Sequence, residues 1–291
     1  MNMRYVKTEA YKMWKNPWLW LSLCISTLFV LMSTVYVYRL YNSEMGVGGM
    51  ARSLHSQGIQ CKDELLACQN LWNSWIGSDG QSLGSVLFFM MTPLLAAMPI
   101  AIPFYREVHS GYLHTVVPKC GRHIYYRTKM QVAFVSGGCM LVIPQLLSLL
   151  LTALYIPAVR PDVVYDMYTP ISHGDMLAKL LYGCPAAYIG FILCINFMFG
   201  GWFALMSMAV SVFASYAVSA LLIPYVIILL ADAAKVFLLY INYTEISPLN
   251  ILHPMTAPNY MKGWVILVWS MVLGGISVLV IIRGGEKNEI F

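Results

Sequence analysis

Six stretches of the chain are continuously apolar over about 20 residues or more, and polar or charged segments separate them. The runs are Trp18 to Tyr38, Leu83 to Tyr105, Met130 to Ile156, Ala186 to Phe213, Val218 to Ile241 and Gly263 to Ile282. A hydrocarbon core about 30 Å thick asks for about 20 apolar residues per helix. The runs are too long, and too uniformly apolar, for the alternating strands of a membrane barrel. The pattern predicts an all-α membrane protein with six transmembrane helices in a single domain spanning 1–291. The first run lies near the amino terminus with no small-residue cleavage site after it, so it reads as a retained anchor.

The polar segments carry further elements. In Met1 to Asn16, Val6, Ala10, Met13 and Trp14 recur at helical spacing among Arg4, Lys7, Lys12 and Lys15. That amphipathic pattern predicts an interfacial helix over 1–16, and Pro17 marks its turn into the first span. The loop 39–82 is long, and CKDELLACQNLWNSWIG within it predicts an amphipathic helix with Trp72 and Trp75 near the interface.

Composition agrees: 59% of residues are hydrophobic, 11% are charged, and the mean hydropathy is +0.67. A soluble domain carries about 25% charged residues. The basic residues set the orientation. Eleven Lys/Arg fall on the side holding the amino terminus, the 106–129 loop, the 214–217 turn and the tail, against six in the longer loops 39–82, 157–185 and 242–262. Both termini are therefore expected in the cytosol of a cell-membrane protein. The net charge of +5 is accounted for by this asymmetry and by lipid headgroups, and calls for no nucleic acid.

Several residues within the spans stand out. Pro93, Pro99 and Pro103 remove backbone donors from the second span, which predicts a bent helix that either lines a cavity or serves packing alone. Gly190, Gly200, Gly201, Ala204 and Ser207 allow close helix approach in the fourth. Asp232 and Lys235 share one face of the fifth and form either a pathway element or a local pair that snorkels to the surface.

The seven cysteines lack metal-ligand spacing. On one helix Cys61 and Cys68 would lie about 10 Å apart, so a disulfide would need Cys184 or an unwound loop. Asn242-Tyr-Thr244 matches a glycosylation sequon but lies too close to a span to be used. All six histidines fall in loops, and the HExxH, G-x-S-x-G and P-loop patterns are missing from the sequence. No catalytic residue, metal site or cofactor is expected on this chain.

The segment Tyr105 to Lys129 holds five Lys/Arg and one acid. Its ordered residues Glu107, Ser110-Gly111, Pro118, Arg122 and Lys129 resemble the coupling segment of type-2 ABC transporter permeases. In that family an acid and a Ser/Thr-Gly pair open a short cytosolic helix, followed by a proline, a basic residue and a lysine that begins the next span. The surface helix, the six spans and the serine-rich FALMSMAVSVFASYAVSALL are similar as well. Tyr112, in place of a threonine, and Cys120-Gly121, in place of a small hydroxyl residue, depart from the pattern.

The resemblance implies a permease subunit of an exporter. A separate ATP-binding cassette ATPase, holding ATP and Mg, would grip the coupling helix between spans 2 and 3. A second permease chain, identical or related, would complete the path for a peptide, antimicrobial or lipid-like substrate. The alternatives are an immunity or sensor protein of the same fold without transport, and an intramembrane enzyme.

Overall fold

The computed structural model describes residues 3–43, 46–58, 69–161, 175–235, 244–257 and 259–287. Among these the chain is helical, apart from turns and a single bridge between Thr244 and Tyr260. The helices are α1 (Met3–Trp14), α2 (Pro17–Asn42), α3 (Val47–Ser56), α4 (Leu71–Ser74), α5 (Leu83–His109), α6 (Tyr112–Cys120), α7 (Arg122–Ala153), α8 (Ala178–Gly183), α9 (Pro185–Ser211), α10 (Ala217–Ala233), α11 (Pro248–Leu252) and α12 (Gly263–Lys287).

Five of them, α2, α5, α7, α9 and α12, are long and apolar enough to cross a membrane. The run predicted for the fifth span appears as the 17-residue apolar helix α10, and residues 236–241 of that run lie outside the described residues. Large apolar side chains such as Leu28, Leu150, Leu230 and Met271 point outward. In water they would form an aggregating surface; in a bilayer they are its lipid contacts. The protein is membrane-embedded.

α9 is the hub of the bundle, packing on α5, α7, α10 and α12. Its contact with α7 is backbone on backbone. A Cβ added at Gly137 would lie 2.4 Å from the Gly200 carbonyl oxygen, and one at Gly200 would lie 2.6 Å from that of Gly137. Below 3 Å no real side chain fits, so these glycines set the helix separation. Gly190 has nothing within 4 Å of such a Cβ and takes no part in close packing. Farther along the same seam, Asn196 Nδ2 donates to Gln145 Oε1 at 2.8 Å, both side chains being buried.

Two serines near the end of α9 bond to α10 and within α9 itself. Ser207 Oγ donates to the Ala220 carbonyl at 2.9 Å, and Ser211 Oγ donates to the Ser207 carbonyl at 2.8 Å. A third bond, from Tyr105 Oη to the Ser215 carbonyl at 2.6 Å, ties the α9–α10 turn to α5.

The segment 69–82 differs from the expected interfacial helix. Only Leu71–Ser74 is helical, opened by a reciprocal capping box between Asn70 and Asn73. Trp72 is half-buried, and Trp75 is fully buried in the core rather than at the interface. A buried loop must find partners for its backbone. Here the Ile76 N–H donates to Ser148 Oγ at 3.0 Å and the Ile76 carbonyl accepts from Ser85 Oγ at 3.1 Å. Asp79 takes the next donors, accepting from the N–H groups of Gln81 and Ser82 and from Ser33 Oγ at 2.7 Å. Cys61, Cys68 and Asn242 lie outside the described residues, while Cys184 is a free, exposed thiol.

Candidate functional site

At one end of the bundle the long helices α5 and α7 are joined by the nine-residue helix α6. α5 stops at His109 with Ser110 as its C-cap, and Gly111 follows at φ +74°, a left-handed conformation that a side chain would strain. A second glycine with positive φ, Gly121, separates α6 from α7. These two glycines bracket the short helix between α5 and α7. α5 continues past Tyr105 and α7 begins at Arg122, not Met130, so the non-helical part of the predicted 106–129 loop is only a few residues. A helix satisfies its own backbone, and nothing obliges it to stop where the apolar run stops.

Lys129 is consequently not a loop cation. It is 6% exposed within α7, and its Nζ lies 2.6 Å from Glu9 Oε2 and 2.7 Å from Glu107 Oε2. Glu9 also holds Lys12 at 2.9 Å, and Lys12 Nζ donates to Tyr112 Oη at 2.8 Å. Tyr125 Oη closes the far end, donating to Glu107 Oε2 at 2.8 Å. The result is an alternating chain, Lys12, Glu9, Lys129, Glu107, that joins α1, α5 and α7 and touches α6 through Tyr112. It borders a cavity of about 220 Å³ lined on its apolar side by Met13, Ile100, Phe104 and Val132.

Glu9 and Lys12 have shifted proton affinities. Burial alone would raise the Glu9 carboxyl, but the charge and hydrogen bond of Lys129, aided by Lys12, hold it below the usual carboxylate range. Burial would lower the Lys12 ammonium, yet its bonds to Tyr112 and Glu9 leave it above the ordinary lysine value. The chain is built from alternating charges, so each ion offsets its neighbour's desolvation.

The proline-rich helix belongs to the same region. Pro103 lacks the N–H that would reach the Pro99 carbonyl, and Asn16 Nδ2 donates to that carbonyl at 2.6 Å instead. Asn16 also caps α2, accepting from Trp18 N–H at 3.1 Å. One side chain thus fastens the α1–α2 elbow to the proline helix. Higher in α5, Thr92 Oγ1 donates at 2.5 Å to the Phe89 carbonyl, which Pro93 leaves free.

Of the residues singled out from sequence, Glu107 turns inward to Lys129 and Tyr125, while Ser110, Gly111 and Pro118 lie exposed along α6 and Arg122 opens α7 partly buried. Asp232 and Lys235 pair at 3.1 Å far along the chain from this cluster, both partly exposed. Asp232 has a second partner in the Ser247 hydroxyl, which ties α10 to α11. Sequence reading passed over Glu9. Its signal was there: it is the one acid in a strongly basic helix.

At the opposite end of α5 the fold gathers a serine, a histidine and an aspartate that are distant in sequence. Ser85 Oγ lies 3.3 Å from His253 Nε2, and His253 hydrogen-bonds with the backbone of Asp79. The set does not make a nucleophile. Ser85 and His253 are buried, the hydroxyl faces the Ile76 carbonyl, and the Asp79 carboxylate is occupied by Ser33, Gln81 and Ser82. Among the described residues no group of three or more His, Cys, Asp or Glu is placed to hold a metal. Comparison of the chain with known protein families, with curated proteins and with solved structures finds no match.

Proposed function

We propose that this protein is the membrane-spanning permease subunit of an ATP-driven exporter of the type-2 ABC kind, with six spans and cytosolic termini. The observation that carries this reading is α6, a short helix held by two glycine hinges between long apolar helices and tied to the surface helix α1 through the buried ion chain. That is the construction of a lever. A partner ATPase binding α6 would press on its exposed residues Ser110, Gly111 and Pro118, and the push would pass to α5 and α7 directly and to α1 through Lys12, Glu9, Lys129 and Glu107. Rigid-body tilting of packed helices is an established mode of switching.

In this reading Glu107 is an internal anchor of the lever rather than a contact to the ATPase. ATP and Mg belong to the partner chain, a second permease chain completes the path, and the cargo is a peptide, antimicrobial or lipid-like molecule. An enzyme is disfavoured by the occupied, buried state of the Ser85, His253 and Asp79 cluster.

The test is purification from gently solubilised native membranes, identification of copurifying chains and assay of ATP hydrolysis. An ATP-binding cassette ATPase that comes down with the protein, and whose coupled transport is lost in Glu107→Ala/Arg122→Ala without loss of membrane insertion, supports the reading. Failure to recover such an ATPase, under conditions that preserve a control complex, refutes it.

A further inference from the structure

Among the described residues, the end of the bundle remote from α1 and α6 carries two irregular segments, Trp75–Ser82 and the turn after α11, and one side chain pins them together. His253 is 2% exposed. Its ring stacks on Phe89 of α5 with centroids 4.1 Å apart and planes 8° from parallel. Nε2 meets Ser85 Oγ at 3.3 Å, and the ring hydrogen-bonds with the Asp79 backbone. The next residues continue the contact, because Met255 lies against Gly80, whose Cβ would meet it at 3.0 Å.

Hydrogen-bond accounting at this pin is tight. The Ser85 hydroxyl has one proton, and it faces the Ile76 carbonyl at 3.1 Å and His253 Nε2, which donates or accepts according to the ring's tautomer. The plug segment therefore depends on the position of the imidazole. Asp79 is the charged group acting on the ring; α2 presents the neutral Ser33, and α5 presents Ser85 and Phe89.

We propose that His253 is an acid-released pin: as the neutral imidazole it holds Trp75–Ser82 and the turn at 253–257 shut over this end of the bundle, and on protonation it leaves its pocket and frees both. The driving force is desolvation, since a ring 2% exposed and stacked on Phe89 is better accommodated uncharged than charged. Burial pushes the His253 imidazole down from 6.5 to about 4, against the opposing pull of Asp79. A depressed histidine contributes stability that is complete above about pH 6.5 and is lost as pH falls towards 4, because the open state binds the proton more tightly. Worked through, the open form gains about 30-fold over the closed one between pH 7.5 and pH 5. This holds whether or not the protein is a permease, since it requires only this end of the bundle.

The experiment is hydrogen exchange of the full chain in nanodiscs, read by mass spectrometry at pH 7.5 and 5.0 and corrected for intrinsic rates. Peptides over Trp75–Ser82 and 249–257 are expected to lose about 30-fold in protection at pH 5, while the α7–α9 seam keeps its own. In His253→Gln the pH dependence should vanish. Equal protection at both pH values in the wild type, or the same loss in His253→Gln, overturns the proposal. Should His253→Gln fail to fold, histidine-labelled wild-type protein is titrated by NMR. A His253 midpoint well below 6.5, with protection lost progressively from pH 6.5 down towards that midpoint, supports the pin, and a midpoint near 6.5 overturns it.

Discussion

Replacing Lys129 by methionine removes the cation shared by Glu9 and Glu107 while keeping the length and apolar stem of the side chain. The cost is set by what the two acids then do. Glu107 retains the Tyr125 hydroxyl and partial exposure, and loses little. Glu9 is 2% exposed and keeps only the more exposed Lys12 beside it. It can escape its stranded charge by taking up a proton, which from an ordinary value of 4.5 costs about 3.4 kcal/mol at pH 7. That figure is a ceiling for Glu9, and breaking buried pairs typically costs about 3–5 kcal/mol. Lys129→Met is therefore expected to destabilise the protein by about 3 kcal/mol at pH 7.

The deficit should shrink as the pH falls. Wild-type Glu9 has a depressed carboxyl and stays ionised at pH 5, so its contribution is unchanged there, whereas the folded variant carries a proton that the unfolded chain lacks at pH 7, and the cost of that proton falls as pH approaches 4.5. Reversible denaturant unfolding in micelles at pH 7 and 5, followed by tryptophan fluorescence, measures both quantities. A variant within about 0.5 kcal/mol of wild type at pH 7, or a deficit unchanged at pH 5, would refute the reasoning. The neutralised triple variant Glu9→Gln/Lys129→Met/Glu107→Gln should recover most of the loss, since uncharged groups of similar volume leave no buried ion behind.

Three further outcomes are expected. Gly200→Ala should cost about 1–3 kcal/mol in the same unfolding assay, because its Cβ would meet the Gly137 carbonyl oxygen at 2.6 Å, while Gly190→Ala, in open space, should cost nothing. Asn16→Ala should cost about 1–2 kcal/mol by removing both the α2 cap and the donor to the Pro99 carbonyl, and hydrogen exchange should report loosening where α1 meets α5. Asp232→Asn should cost about 1 kcal/mol and Lys235→Ala less, since the pair is partly exposed and Asp232 alone also serves Ser247; equal losses of several kcal/mol would show a buried pair instead.

The apolar runs and their lengths made the membrane helices legible without a structure. Bilayer thickness converts run length directly into spans, and five of the six runs appear as helices long enough to cross. The Ser110-Gly111 break was expected from the resemblance, and Gly111 has the positive φ that selects glycine. The basic amphipathic helix at the amino terminus was legible in its spacing.

Tertiary structure decided what these elements do to one another. Whether Lys129 is a loop cation or the centre of an ion chain depends on Glu9, 120 residues away and on another helix. Pro103 frees a carbonyl in any fold, but only docking brings Asn16 to it. Gly190 and Gly200 are alike in sequence, and only the path of α7 makes one indispensable and the other idle. Trp75 looked interfacial because its neighbours are polar, yet Ser85 and Ser148 from outside the loop and Asp79 within it satisfy its backbone while the indole enters the core. Composition, periodicity and backbone preference are properties of neighbouring residues, and so sequence alone determines them; the pairing of buried charges and of orphaned carbonyls joins groups that only the packed bundle brings within hydrogen-bonding distance.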